Sequence, residues 1–184
     1  MFREENAIIL DYLPNGYASS FKKEAVAQAL GDQYFTLLEL TPKQDVKLSL
    51  RDRVYIGKEK RDEIQYIKGR LEFSKLTATA RNELQDIVNE KVTGNEKDYV
   101  DFFNRAGPIT IRQHSLELLP GVGKKHMLDI LDKREEKPFT SFKDLSERIN
   151  LMPDPHRVIV DRIMDELKGN TKYHLFVKSP RPRQ

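Results

Sequence analysis

The residues of this chain best suited to do chemistry sit in one short run, Leu118-Leu119-Pro120-Gly121-Val122-Gly123-Lys124-Lys125-His126. Pro120 stops a helix from simply continuing, while Gly121 and Gly123 permit positive φ and close backbone approach. Val122, between the glycines, is placed to turn inward against Leu119 and Met127. That leaves the amides of Gly121, Gly123 and Lys124 pointing outward beside a helix start, and such a set of N–H groups is an anion pocket. Lysine is a poor choice for the first turn of a helix, whose free amides already carry partial positive charge. Lys124 and Lys125 therefore oppose the local dipole until an anion occupies the pocket, and with one bound they join the clamp. The chemistry expected here is non-covalent: Gly121, Val122, Gly123, Lys124 and Lys125 together grip a phosphate.

Other chemistries find less support. The 184 residues include no cysteine, which removes disulfides, thiolate catalysis and cysteine-based zinc sites. The four histidines, His114, His126, His156 and His174, are dispersed, so neither a metal nor any other cofactor is expected. Asp45, Asp52, Glu59, Asp62 and Glu63 lie in turns and a charged run that reads as solvated surface. Asp144 follows Ser141 by three residues, the spacing of a helix-capping arrangement. No catalytic constellation emerges, and the expectation is a non-enzyme.

Hydrophobic residues make up 38% and charged residues 33%, the balance of a water-soluble protein with modest cores. No run approaches the eighteen apolar residues of a membrane span. The start, "MFREENAIILDYL", lacks the marks of a signal peptide, so the expected location is the cytoplasm. Residues 1–108 carry 17 lysines and arginines against 18 acids, and residues 109–184 carry 15 against 11. The basic excess lies in the half with the glycine turn, a mild pointer to a polyanionic partner.

The elements that must hold this turn follow from periodicity. Residues 7–12, "AIILDY", read as a strand ended by a "PNG" turn. In residues 19–31 Phe21, Ala25, Val26, Ala29 and Leu30 fall at helical spacing with Gly31 as a C-cap, so a helix is expected there. Residues 33–41, 51–57 and 63–76 read as further strands, the last with Gly69 at a bulge or bend. From Leu76 the period becomes helical through Ala80, Leu84, Ile87 and Val88. A second stripe runs through Tyr99, Phe102, Phe103 and Ala106, and a third through Ile111, Ser115, Leu118 and Leu119. Helices are expected after the glycine turn, after Ser141, and after Asp154-Pro155. Residues 172–178, "KYHLFVK", alternate like a strand.

The expected fold is α+β in two domains. Residues 1–75 form a small β-barrel, with strand 171–178 expected to return to it and complete it. Residues 76–170 form an all-α domain, and residues 179–184 a basic tail. The barrel class resembles OB and SH3-like folds, although a helix after the first strand departs from the OB order. Such barrels often bind single-stranded nucleic acid through aromatic and basic side chains. The secondary candidates there are Arg51, Arg53, Tyr55 and Lys58, with Tyr12 and Tyr17 more readily explained as packing.

The run Leu116-Glu117-Leu118-Leu119-Pro120-Gly121-Val122-Gly123-Lys124-Lys125 resembles the helix-hairpin-helix family, whose turns grip nucleic-acid phosphates without reading bases. The resemblance implies phosphate contacts at Gly121, Gly123, Lys124 and Lys125, and a tandem pair of hairpins. The second turn, around Asp154-Pro155, lacks glycine and reads as structural, with Arg157 and Arg162 as candidates at its edge. Over nearly its full length, through "AIILDYLPNGY", "YFTLLELTPK", "RVYIGK" and "LELLPGVGKKHM", the chain resembles an uncharacterised archaeal family of predicted nucleic-acid-binding proteins. That resemblance implies a barrel followed by a helix-hairpin-helix domain, and RNA or translation-related partners. The expected function is sequence-independent binding of nucleic acid, RNA favoured over DNA. The alternative is a protein-interaction module whose helical domain docks a protein partner in translation or nucleic-acid processing.

Overall fold

A computed structural model describes residues 3–178, so the 179–184 tail lies outside the described residues. By internal contacts the chain divides into two units, Met1–Asp86 with Glu166–Gln184, and Ile87–Asp165. The boundary expected at residue 75 precedes a helix that this division cuts.

The first unit is a curled antiparallel sheet of five strands, β1 (Asn6–Leu13), β2 (Val26–Gly31), β3 (Leu37–Pro42), β4 (Arg53–Tyr55) and β5 (Ile64–Arg70). Their order is β4-β1-β2-β3-β5. The sheet is a half-barrel: β4 pairs with β1 and β5 with β3, and no ladder joins β4 to β5 among the described residues. Its inner face packs Ile9, Ala29, Leu40, Val54, Ile56 and Ile64 into one apolar cluster. β5 bulges opposite Glu39 and Leu40, next to Gly69.

β2 corrects the expected helix at 19–31. It is the central strand, paired on both sides and buried along its whole length. A strand buried on both faces loses polar alternation, and its alanines then mimic a helical stripe. Phe21, expected on that stripe, stands fully exposed in the loop before it.

Gln28 of β2 is wholly buried and hydrogen-bonded throughout. Its amide nitrogen donates to Tyr17 Oη (3.1 Å) and Lys75 O (3.0 Å), and its oxygen accepts from Thr77 N (2.9 Å). Thr77 Oγ1 accepts from Ala80 N in the first turn of α1 (Ala78–Gly94) and donates to Asp11 (2.6 Å). Tyr17 Oη donates to Glu39 (2.9 Å), and Glu39 pairs with Lys68 at 3.0 Å. Burial, with the charges of Glu39 and Asp11 added, pushes the Tyr17 phenol up to about 12.

No strand forms at 171–178. The amides of Leu175, Phe176 and Val177 instead donate to the carboxylate of Glu166, which is 2% exposed (2.6, 3.0 and 2.8 Å). Lys178 N donates to Tyr34 O at 3.1 Å. The segment thus belongs to the first unit, but a buried carboxylate does what a strand ladder was expected to do.

The second unit holds α2 (Glu96–Arg105), a small ribbon of β6 (Pro108–Thr110) and β7 (Gln113–His114), a 3₁₀ turn at Ser115–Leu118, α3 (Lys124–Glu136) and α4 (Phe142–Arg148). α5 (Pro155–Lys168), like α1, crosses the division between units. The ribbon and 3₁₀ turn replace the helical stripe expected through Ile111–Leu119, and Ile111 stands fully exposed at the ribbon tip. His114 starts the turn: its Nδ1 accepts from Leu116 N (3.1 Å), and Glu117 accepts from His114 N (3.0 Å). Burial, aided by the nearby Arg134 charge, lowers the His114 pKa against the pull of Glu117, favouring the neutral ring that can accept this bond.

Candidate anion-binding site at the glycine turn

The glycine turn is positioned from both sides by apolar burial. Leu116, Leu119 and Val122 are buried before and within it, and Met127 and Ile130 fix α3 after it. Val122 N donates to Leu119 O (3.1 Å), so the valine points inward as its spacing predicts. Gly121 has φ +76°, the left-handed region that glycine enters without steric cost. A Cβ there would lie 3.0 Å from Pro153 Cγ in the second turn. Gly123 is the N-cap of α3 at φ −88° and ψ −173°, with open space where a side chain would go.

What remains at this corner is donors. Gly121, Gly123, Lys124 and Lys125 are all exposed. Among the described residues no backbone bond ends on their amides, and α3 has no side-chain cap; the first bond closing the helix is Met127 N to Gly123 O (2.9 Å). α3 has thirteen residues and no acid in its first turn. Its dipole, equivalent to about half a positive charge, therefore faces water together with the two lysines. The corner can accept a phosphate or carboxylate oxygen without any rearrangement of bonds already made.

The other expected contacts fare differently. Arg162 is buried, and its Nη1 donates to Leu118 O (3.0 Å), the carbonyl end of the 3₁₀ turn. It braces the glycine turn from within and is no surface cation. Arg134 and Arg148 serve alike, Arg134 on Phe103 O and Ala106 O, Arg148 on Lys133 O and Lys137 O. Three of the cations behind the basic excess of the C-terminal half are thus helix C-caps. Arg157 stays exposed, 3.7 Å from Asp161.

In the first unit Arg51 pairs with Glu83 (2.6 Å) and Asp86 (3.6 Å), and Arg53 with Asp32 (2.8 Å). Tyr55 Oη accepts from Glu59 N (3.1 Å), and Tyr12 Oη donates to Val46 O (3.1 Å). Of the four secondary candidates there, Lys58 alone is an exposed side chain with no polar partner among the described residues.

The second turn, Ile149–Pro155, is closed by its own acid: Asp154 caps α5 by accepting from Arg157 N (3.2 Å). The Ser141–Asp144 arrangement also forms. Asp144 N donates to Ser141 Oγ (2.9 Å), while the Asp144 carboxylate reaches one residue further back, to Thr140 N (3.0 Å). Burial works to raise the Asp144 pKa, but the bonds from Thr140 and Arg148 outweigh it and hold it low. No group of three or more His, Cys, Asp and Glu suited to a metal ion is found among the described residues, and no helix there is long and apolar enough to cross a membrane.

Residues 3–178 match the family described as "Protein of unknown function (DUF655)". The chain is 46% identical over 177 residues to "Uncharacterized protein MJ0038" of Methanocaldococcus jannaschii, covering 95% of this chain and 80% of that one. It is also similar to the crystal structure of Af1531 from Archaeoglobus fulgidus, titled with the same family, at 42% identity and TM-score 0.83, over 95% of this chain and 100% of that one. With the match running the length of the described residues, and relatives in two archaea, this chain belongs to the DUF655 family.

Proposed function

We propose that the protein is a non-enzymatic nucleic-acid-binding protein whose Pro120–Lys125 corner works as a helix-hairpin-helix phosphate clamp. The observation that carries this reading is the set of exposed, unspent amides at Gly121, Gly123, Lys124 and Lys125, flanked by two lysine side chains. Backbone donors read phosphate and not base, so binding is largely independent of sequence. The first unit adds a second surface, its half-barrel having the layout of a partly open five-stranded barrel of the OB kind. RNA is favoured over DNA by the family resemblance alone, and competition between matched RNA and DNA, single- and double-stranded, decides between them.

With two to four phosphates engaged, log K falls against log salt with a slope of about −2 to −4. Lys124→Glu/Lys125→Glu weakens binding at least tenfold and makes that slope shallower by about 2. Gel-shift titrations across a salt series measure both. Equal affinity for wild type and the double variant would remove the clamp.

A second reading, a protein-docking module, draws on Ile111, Leu128 and Leu151, large apolar side chains left exposed in the second unit. It predicts a partner that co-purifies after nuclease treatment, whereas the clamp predicts partners that are lost with the nucleic acid.

A further inference from the structure

The half-barrel stops short of closure, and the gap between β4 and β5 opens into a cleft of about 220 Å³. Its floor is apolar, formed by Leu38, Ile56 and Ile67. Four cations line it: Arg3 before β1, Lys58 just after β4, Arg61, and Arg70 at the end of β5. Arg61 is fixed through its Nε on Gly57 O (2.8 Å). Arg3, Lys58 and Arg70 are exposed and make no ion pair or side-chain hydrogen bond among the described residues.

Two acids share the cleft. Glu4 is buried, and its carboxylate is already committed to the amides of Gln33, Tyr34 and Thr36 (2.8, 2.8 and 3.3 Å). Glu5 is exposed. Arg51 and Arg53 of this unit are matched to Glu83 and Asp32; Arg3, Lys58 and Arg70, without an ion pair among the described residues, instead gather around one apolar floor, and that grouping sets this cleft apart.

We infer that the cleft is a binding site for a single nucleotide unit carrying a phosphate, its base laid on Leu38, Ile56 and Ile67 and its phosphate held by Lys58, Arg61 and Arg70. An apolar floor calls for a flat, weakly polar body, and the cationic rim calls for an anion attached to it. At about 220 Å³ the cleft lies below the roughly 300–1,000 Å³ of pockets for drug-sized ligands, so it takes one nucleotide at most, with part of it left in solvent, and not a run of them. Arg and Lys at the rim match phosphate by charge, and Arg also by its forked donors. The site does not depend on the glycine turn. The same chemistry is offered by a free mononucleotide and by the 5′-phosphorylated end of a strand.

The test titrates the full chain with 5′-mononucleotides, with a short RNA bearing a 5′-phosphate, with the same RNA bearing a 5′-hydroxyl, and with inorganic phosphate. The expected result is that one or both 5′-phosphorylated nucleotide ligands bind at least tenfold more tightly than inorganic phosphate and, for the strand, than its 5′-hydroxyl form. Mononucleotides equal to the phosphorylated strand identify a free nucleotide as the ligand; preference for the strand identifies its end. Lys58→Ala/Arg70→Ala removes the preference with an unchanged melting temperature, since both side chains are exposed. Lys124→Glu/Lys125→Glu leaves mononucleotide binding intact, or leaves the 5′-phosphate preference intact where the strand is the ligand. The inference is overturned if no 5′-phosphate is preferred over a hydroxyl and no mononucleotide binds, if inorganic phosphate binds as tightly as a nucleotide, or if Lys58→Ala/Arg70→Ala binds like wild type.

Discussion

The two turns of the second unit solve the same geometric problem with opposite chemistry. At Leu119–Lys124 the left-handed position is a glycine, Gly121 at φ +76°, and the following helix start has no cap. At Ile149–Pro155 the left-handed position is Leu151 at φ +57°, and Asp154 caps the helix. The first turn keeps backbone donors available and adds cations; the second closes itself with an acid. The first unit widens the contrast, because Glu4 and Glu166 each fill a group of three amides with a buried carboxylate. This chain supplies its own anion at three such places. At the glycine turn it supplies none, as expected of a place kept for an anion from outside.

The sharpest way to break that contrast is to give the first turn the acid of the second. Gly123→Asp is sterically free, since the N-cap backbone is extended and a side chain there meets open space. The aspartate would fill the amide pocket and repel phosphate. Nucleic-acid affinity is expected to fall tenfold to a hundredfold, roughly 1.4–2.7 kcal/mol, while stability rises by about 0.3 kcal/mol from the improved cap. Gel-shift titration with a parallel thermal melt separates the two effects. Undiminished affinity would make the open amides incidental.

Gly121→Ala asks whether the shape of the turn matters on its own. The alanine would carry an unfavourable positive φ and sit 3.0 Å from Pro153 Cγ, where the second turn packs. A destabilisation of about 1.5 kcal/mol is expected in chemical denaturation. The reciprocal change, Leu151→Gly, relieves the left-handed backbone of an exposed leucine. It is expected to stabilise by about 0.5 kcal/mol, the strain relieved less the entropy that glycine adds to the unfolded chain. A loss on Leu151→Gly would mean that the exposed leucine has a contact worth keeping.

These turns were the most legible part of the sequence, because proline, glycine and capping residues act on their nearest neighbours. Pro120-Gly121-Val122-Gly123, Ser141 before α4 and Asp154-Pro155 before α5 each behave as local rules require. Legibility fails where a distant residue decides. β2 looks helical because burial on both faces of the sheet removes the alternation that would have marked it. Residues 171–178 alternate like a strand, yet Glu166 takes their amides, and nothing near 171–178 signals that. Arg162 reads as a candidate contact at the second turn, and Arg134 and Arg148 only as part of the basic excess, because the carbonyls they cap lie 11 to 44 residues away. The cationic cleft was missed, Lys58 apart, because its rim comes from separate strand ends that only the curl of the sheet brings together.

The smallest effect is expected in the first unit, where the polar network is closed and has no reason to answer to a ligand. Tyr17 is its titratable member, with a phenol raised to about 12, chiefly by burial. A raised folded pKa favours the protonated form in the native state. Its contribution is therefore fully present below the ordinary tyrosine range near 10 and is lost as pH rises from there through about 12. Tyr99, also raised to about 12 chiefly by burial, behaves likewise in the other unit, so wild-type stability alone does not isolate Tyr17. Tyr17→Phe does: it deletes the ionisation along with the bonds to Gln28 and Glu39. Its stability deficit relative to wild type is expected to be constant up to pH 10 and to shrink between pH 10 and 12. A deficit that keeps its size across that window in urea titrations would show that the Tyr17 hydroxyl ionises as freely in the folded chain as in the unfolded one.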